Sequence, residues 1–134
     1  MKLAWLVLIA FTVKANVELL GSMGQTCDSD GLFVVSNFEV SPWPVTPGVQ
    51  ITLTMAGTFR KTSYVANVAV RTSYNKGHWS YRYEDIDQSF PYGQIYTFSF
   101  TMTSGTGNGE YLEEVFLEEK QGHGISCWTF TYHI

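Results

Sequence analysis

Few residues of this chain have side chains that could do chemistry, and they are scattered. Two acidic pairs, Glu113-Glu114 and Glu118-Glu119, come nearest to a carboxylate constellation. Facing carboxylates could serve glycoside hydrolysis or hold calcium, but neighbours on a strand point to opposite faces, so each pair reads as a solvated edge. His78, His123 and His133 lie far apart, with no GxSxG elbow, HExxH pair or phosphate-cradling loop to accompany them. The stretch "GTGNG" at 105–109 carries no lysine and precedes an expected strand, so it reads as a hairpin turn. Cys27 and Cys127 lack the CxxC spacing and paired histidines of a zinc site. No catalytic residue, metal site or cofactor is expected, and the chain reads as a non-enzyme.

At 134 residues there is room for one domain with a real core. Aromatics supply 16% of residues and charged side chains only 15%, which excludes a disordered chain or a polyanion binder. Met1-Lys2, the apolar run from Leu3 to Val13 and the small residues around Val13-Lys14-Ala15 read as a secretory signal peptide over residues 1–15, with cleavage between 15 and 25. The run is about eleven residues long, short of the ~20 that span a bilayer. Losing Lys2 and Lys14 with that segment takes the formal charge from -4 to -6, so no nucleic-acid partner is expected. In an oxidising compartment Cys27 and Cys127 are able to pair as a disulfide, the alternative being two separate buried thiols.

Over the rest of the chain the dominant period is two. Phe38 and Val40 alternate with polar residues, and Val49, Ile51, Leu53 and Met55 share one side of a second strand. Tyr64, Ala66, Val68 and Val70 make a third, and Trp79, Tyr81 and Tyr83 share a face of the fourth, opposite His78 and Arg82. Tyr96, Phe98, Phe100 and Met102 form the clearest alternation, and Trp128, Phe130 and Tyr132 close the chain. Residues 110–120 are rich in helix formers, with Tyr111, Leu112, Val115 and Phe116 at helical spacing. Their position after the turn "SGTGNG" favours a strand paired with the one before it.

Short strands separated by Gly, Asn and Pro turns predict an all-β, immunoglobulin-like antiparallel β-sandwich of two sheets. Pro42, Pro44 and Pro47 mark the end of one strand and a rigid path to the next, and Pro47-Gly48 suits the centre of a type II turn.

In order and approximate spacing, "CDSDG", "FEVSPWPVTPG", "PYGQIYTFSF", "GEY" and "ISCWTF" resemble the ML, or lipid-recognition, domain family. That family includes the Niemann–Pick C sterol-transfer protein, the ganglioside activator, phosphatidylglycerol/phosphatidylinositol transfer proteins and group-two mite allergens. The resemblance covers residues 27–134 and implies a sandwich with a lipid cavity between its sheets, no enzymatic chemistry and no cofactor. It also implies a monomer in the secreted, endosomal, lysosomal or vacuolar lumen that binds a sterol, fatty acid or phospholipid and touches membranes transiently. Trp43 and Phe90 stand where sterol-transfer members have cysteines, so residues 84–92 are expected to form a looser loop. No Asn-x-Ser/Thr sequon occurs.

The residues expected to contact lipid are Met55, Val68, Val70, Trp79, Tyr81, Tyr96, Phe98, Phe100, Met102, Tyr111, Val115, Trp128 and Phe130. Large rings can wall a pocket without filling it, and methionine adapts to a flexible ligand. Arg60 and Lys61 could meet a headgroup or an anionic membrane. A second reading is a carbohydrate-binding or adhesive sandwich with a solid core and an outer platform of Trp79, Tyr81 and Tyr83. The two differ in whether the aromatics point inward or outward.

Overall fold

The structure, a computed structural model, describes residues 23–134. The signal peptide expected at residues 1–15 lies outside them, as does its cleavage window up to residue 22. Among the described residues the chain forms β1 (Gln25–Thr26), β2 (Phe33–Ser41), β3 (Gln50–Phe59), β4 (Ser63–Tyr74), β5 (Trp79–Phe90), β6 (Ile95–Thr103), β7 (Glu110–Glu118) and β8 (Gly124–His133). They make two antiparallel sheets, β1-β8-β7-β4-β5 and β2-β3-β6, packed as a sandwich.

Alternation sets which side chains meet between the sheets. In β3, Ile51, Leu53, Met55 and Phe59 are buried, and in β6, Phe98, Phe100 and Met102, while the intervening Thr97, Ser99, Thr101 and Thr103 face solvent. β3 and β6 pair without a break from Gln50–Thr103 to Thr58–Ile95, so these two rows present one apolar surface. The opposing surface comes from Val68 and Val70 of β4, Val115 and Leu117 of β7, and Trp128 and Phe130 of β8. Residues 110–118 are a strand despite their helical composition, because β7 is held on both sides, by β4 and by β8.

Three sequence expectations change. Glu113 is not on a solvated edge: β7 is the middle strand of its sheet, and Glu113 is fully buried while Glu114 lies on the other face. A bulge between Val65 and Asn67 breaks the expected alternation of β4, so Val65 turns inward and Tyr64 turns out, donating a hydrogen bond to Asp87 at 2.8 Å. Residues 84–90 continue β5 instead of forming a loop, and Phe90 is fully buried, stacked on Phe59 at 4.7 Å.

The proline-rich corner is tied to the segment after β6. Ser41–Pro42 and Trp43–Pro44 are cis, and Gly48 has φ +64°, as the second central residue of a type II turn requires. Ser104 Oγ donates to Thr46 O at 2.6 Å and accepts from Val49 N at 3.0 Å, and Gly48 N donates to Gly105 O at 3.1 Å. The corner thereby fixes residues 104–105 beside the rings of Tyr111 and Tyr132. Gly105 is required there, since a Cβ would lie 2.3 Å from the Tyr111 ring.

Candidate functional site

The structure brings most of the expected lipid-contacting residues together and sets two apart. Met55, Val68, Val70, Phe98, Phe100, Met102, Tyr111, Val115, Trp128 and Phe130 are all buried in one core, with Tyr96 half-buried against it. Trp79 and Tyr81 lie on the opposite, outer face of the five-stranded sheet. There Arg71 sits over the Trp79 ring at 4.2 Å, pairs with Glu114, and reaches the Phe116 ring at 5.2 Å. Tyr81 and Tyr83 stand parallel on that face, 53% and 61% exposed.

The inner layer contains many rings. Phe33, Phe59, Phe90, Tyr96 and Phe98 form a cluster with centroid separations of 4.7 to 6.3 Å. Phe38 lies against Trp128 and Phe130, and Tyr111 stacks on Tyr132 at 4.8 Å. Phe98 is therefore enclosed by other rings, whereas Met102 lies toward the end of the sandwich where the layer meets a polar cleft.

The two long sides of the sandwich are closed differently. On the β2–β8 side, backbone hydrogen bonds run from Met23 N to Phe38 O at 2.8 Å and from Leu32 N to Ile125 O at 2.7 Å. Trp128 Nε1 adds a bond to Met23 O at 2.7 Å. On the other side, β5 and β6 are the end strands of their sheets. They are joined by the turn at 91–94, and among the described residues no backbone hydrogen bond links one to the other. Ser80, Arg82 and Glu84 pair with Thr72, Val70 and Val68 and so point to the inner side of the sheet, yet all three are exposed. The five-stranded sheet overhangs the smaller one there, leaving a side held by side-chain packing alone.

At the end of that side remote from the turn is a cleft of about 200 Å³. Its outer walls are His78, Ser80 and Arg82 from β5 and its approach, and Met102 and Thr103 from β6. Tyr111, Tyr132 and Glu113 border its inner end. Glu113 lies in the row Ser80–Thr72–Glu113–Phe130 across the sheet. Thr72 Oγ1 donates to its carboxylate, 2.6 Å from Oε2 and 2.9 Å from Oε1, and among the described residues no other side chain or backbone group donates to it. A carboxylate can accept about four hydrogen bonds, so this one has capacity to spare. The Tyr111 hydroxyl donates to Gly107 O at 2.8 Å, and the Tyr132 hydroxyl accepts from Gly105 N at 3.4 Å.

Burial pushes the Glu113 carboxyl up to about 7, against the opposing pull of the Thr72 hydrogen bond and the Arg82 charge. Burial likewise pushes Tyr132 up to about 12. The other titratable groups facing the cleft are His78 and Arg82 from the β5 side, Tyr74 from β4 and Tyr111 from β7; β6 presents only Met102 and Thr103. The folded state holds the Glu113 proton more tightly than the unfolded chain, so between about pH 4.5 and 7 folding takes up a proton and stability falls as pH rises. The full loss, reached above pH 7, is at most about 3 kcal/mol. Urea unfolding of wild type and Glu113→Gln across pH 4.5 to 8 should show this decline in wild type and a flatter profile in the variant. Parallel profiles would contradict the assignment.

No protein-family model matches this chain, and no curated protein matches it. Among solved structures, the C-terminal domain of wzt matches with a TM-score of 0.65 at 14% identity, over 83% of this chain and 80% of that one. A Niemann-Pick type C2 protein from Japanese carpenter ant matches with a TM-score of 0.63 at 12% identity, over 84% of this chain and 98% of that one. At such identities the likeness is one of fold, and the sandwich expected from the sequence motifs is the architecture these proteins share with it.

Proposed function

We propose that residues 27–134 form a lipid-binding domain that holds the apolar part of a sterol, fatty acid or phospholipid between its two sheets, and that it works as a carrier, not an enzyme. The observation that carries this reading is the unpaired β5–β6 side. An apolar chain can enter there by parting side chains, with no backbone hydrogen bond to break, while the β2–β8 side keeps the sheets in register. Each methylene transferred from water contributes roughly 0.8 kcal/mol, enough for a ten-carbon chain to offset a modest repacking of the rings. The Cys27–Cys127 disulfide supports a secreted or lumenal location, since such bonds persist in oxidising compartments.

Loading from a bilayer would use the tip formed by the β3–β4 and β5–β6 turns. The Tyr92 amide donates to Thr62 Oγ1 at 3.1 Å, which sets Arg60 and Lys61 beside Tyr92 and Ile95, 74% and 77% exposed. Cationic side chains next to exposed apolar ones suit transient contact with a membrane surface by a monomer. The test is organic extraction of the purified protein followed by mass spectrometry, with thermal unfolding in the presence of fatty acids, phospholipids and sterols. A co-purifying lipid that also raises the unfolding temperature is expected; no bound lipid and no shift would overturn the reading.

The exposed pair Tyr81 and Tyr83 favours one other reading, a platform for sugar rings. The double substitution Tyr81→Ser/Tyr83→Ser alters an exposed face of an end strand and should change stability by less than about 1 kcal/mol, leaving lipid uptake intact. Wild type that binds an oligosaccharide array, with the signal lost in the double variant, would replace the carrier reading with the platform.

A further inference from the structure

The cleft that ends on Glu113 opens from the same side through which a lipid would enter, and its chemistry selects what the polar end of that lipid can be. We propose that this cleft receives the ligand's polar end, and that this end is a hydrogen-bond donor, a hydroxyl or a protonated amine, in preference to a carboxylate or phosphate. The inference rests on the lipid-binding reading and deepens it.

Three observations combine. Glu113 is fully buried, with 0% of its surface accessible, yet among the described residues a single hydroxyl, from Thr72, donates to its carboxylate. A buried carboxylate so sparsely served is costly, and a further donor would relieve it. Of the tyrosines at the same depth, Tyr111 donates to Gly107 O and Tyr132 accepts from Gly105 N, which leaves a lone pair on one and a hydrogen on the other, but the carboxylate is the stronger, charge-assisted acceptor for a newcomer. The cleft's volume of about 200 Å³ is enough to take a small polar group. Since one water occupies about 30 Å³ of liquid, the space equals a handful of waters. Arg82, the cation that could attract an anion, is on the exposed outer wall, so above pH 7 an anionic head passing it would still meet the ionised carboxylate beyond.

The experiment compares three probes of equal chain length, decylamine, decanol and decanoate, by calorimetry at pH 8 and 0.15 M salt. Decylamine is ionised to the same extent of one charge as decanoate, so this pair cancels the general cost of burying a charge, and the salt screens the protein's overall negative charge. Wild type should bind decylamine at least tenfold more tightly than decanoate, with decanol also ahead of decanoate. In Glu113→Gln the amine-to-carboxylate ratio should fall about tenfold. Arg82→Gln, at an exposed position that does not threaten folding, should widen the ratio, which keeps the test decisive if the Glu113 variant is unstable. Decanoate binding wild type as well as decylamine, or a ratio narrowed by Arg82→Gln, would overturn the inference while leaving the lipid carrier standing. Failure of all three probes to bind wild type would overturn the headgroup assignment, and if fatty acids, phospholipids and sterols also leave the unfolding transition unmoved and no lipid co-purifies, the carrier reading falls with it.

Discussion

Cys27→Ser/Cys127→Ser is expected to lower the unfolding free energy by roughly 4 to 5 kcal/mol, the loop-entropy value for a bridge spanning about 100 residues. The two cysteines are 100 residues apart in sequence and join the residue that follows β1 to β8. β1 has only two residues, and its pairing with β8 is supplemented by the Cys27 N to Cys127 O hydrogen bond at 3.0 Å. Without the bridge, so short a strand has little to hold it, and the Met23 contacts with Phe38 and Trp128 that close the β2–β8 side depend on the same segment. Domains of this size are stable by only 5 to 15 kcal/mol, so the loss would be a large share of the total. Denaturant unfolding of the oxidised wild type and the double variant gives the difference directly. A change under about 1 kcal/mol would mean that the fold's closure does not rely on the bridge. Because both cysteines are replaced, no free thiol is left to confuse the comparison.

The parts of the fold that were legible in the sequence are those whose burial is set locally. Tyr96-Phe98-Phe100-Met102 alternates with Thr and Ser because one face of β6 meets the other sheet and the other meets water, and such a strand writes its burial into its composition. The corner at Pro42, Pro44 and Pro47 was legible for a similar reason, since proline limits its own backbone. Glu113 shows the opposite case. Its neighbour Glu114 and the later pair Glu118-Glu119 make it look like part of a solvated acidic run, and nothing within β7 says that β4 and β8 flank it. The only local hint is that Tyr111, Val115 and Leu117, two and four residues away on the same face, are apolar. Burial of a single carboxylate in such a row is decided by strand order, a tertiary property.

The register shift between β4 and β5 obscures the pattern in another way. No Gly or Pro marks Val65-Ala66-Asn67, where two steps along β4 pair with three along β5, from Gln88 to Asp85, and Val65 and Val68 both face inward, so simple alternation from Val68 and Val70 puts Tyr64 on the wrong face. For Trp79, Tyr81 and Tyr83 the alternation was right and the face was ambiguous. Arg82 and Ser80 occupy the inner side because β5 overhangs the smaller sheet, so the usual rule that the apolar side faces inward fails at this strand. The sandwich and its interior are thus readable, while the polar cleft, which needs four strands from one sheet and one from the other, is not.

Phe98→Ala should cost about 3 to 5 kcal/mol in lipid-free protein, lowering the unfolding temperature by about 10 °C or more. Phe98 is 4% exposed and touches Phe33 at 5.4 Å, Phe90 at 5.6 Å, Phe59 at 6.3 Å and Tyr96 at 4.7 Å, centroid to centroid. Removing its ring leaves an apolar void among side chains that are themselves held by the sheets, so little of the space can collapse. The two functional readings then diverge. If the inter-sheet layer admits an acyl chain or a sterol from the β5–β6 side, the ligand can fill the vacated volume. A ligand that binds only the folded state stabilises it in proportion to its affinity, so lipid-induced stabilisation should be larger in Phe98→Ala than in wild type. In a sealed core no lipid reaches the void, and the variant stays equally destabilised whatever is added. The measurement is thermal unfolding of both proteins, alone and with fatty acids, phospholipids and sterols. A wild-type transition that no lipid moves, together with a variant deficit constant across the panel, would require the carrier reading to be abandoned in favour of the outer aromatic platform.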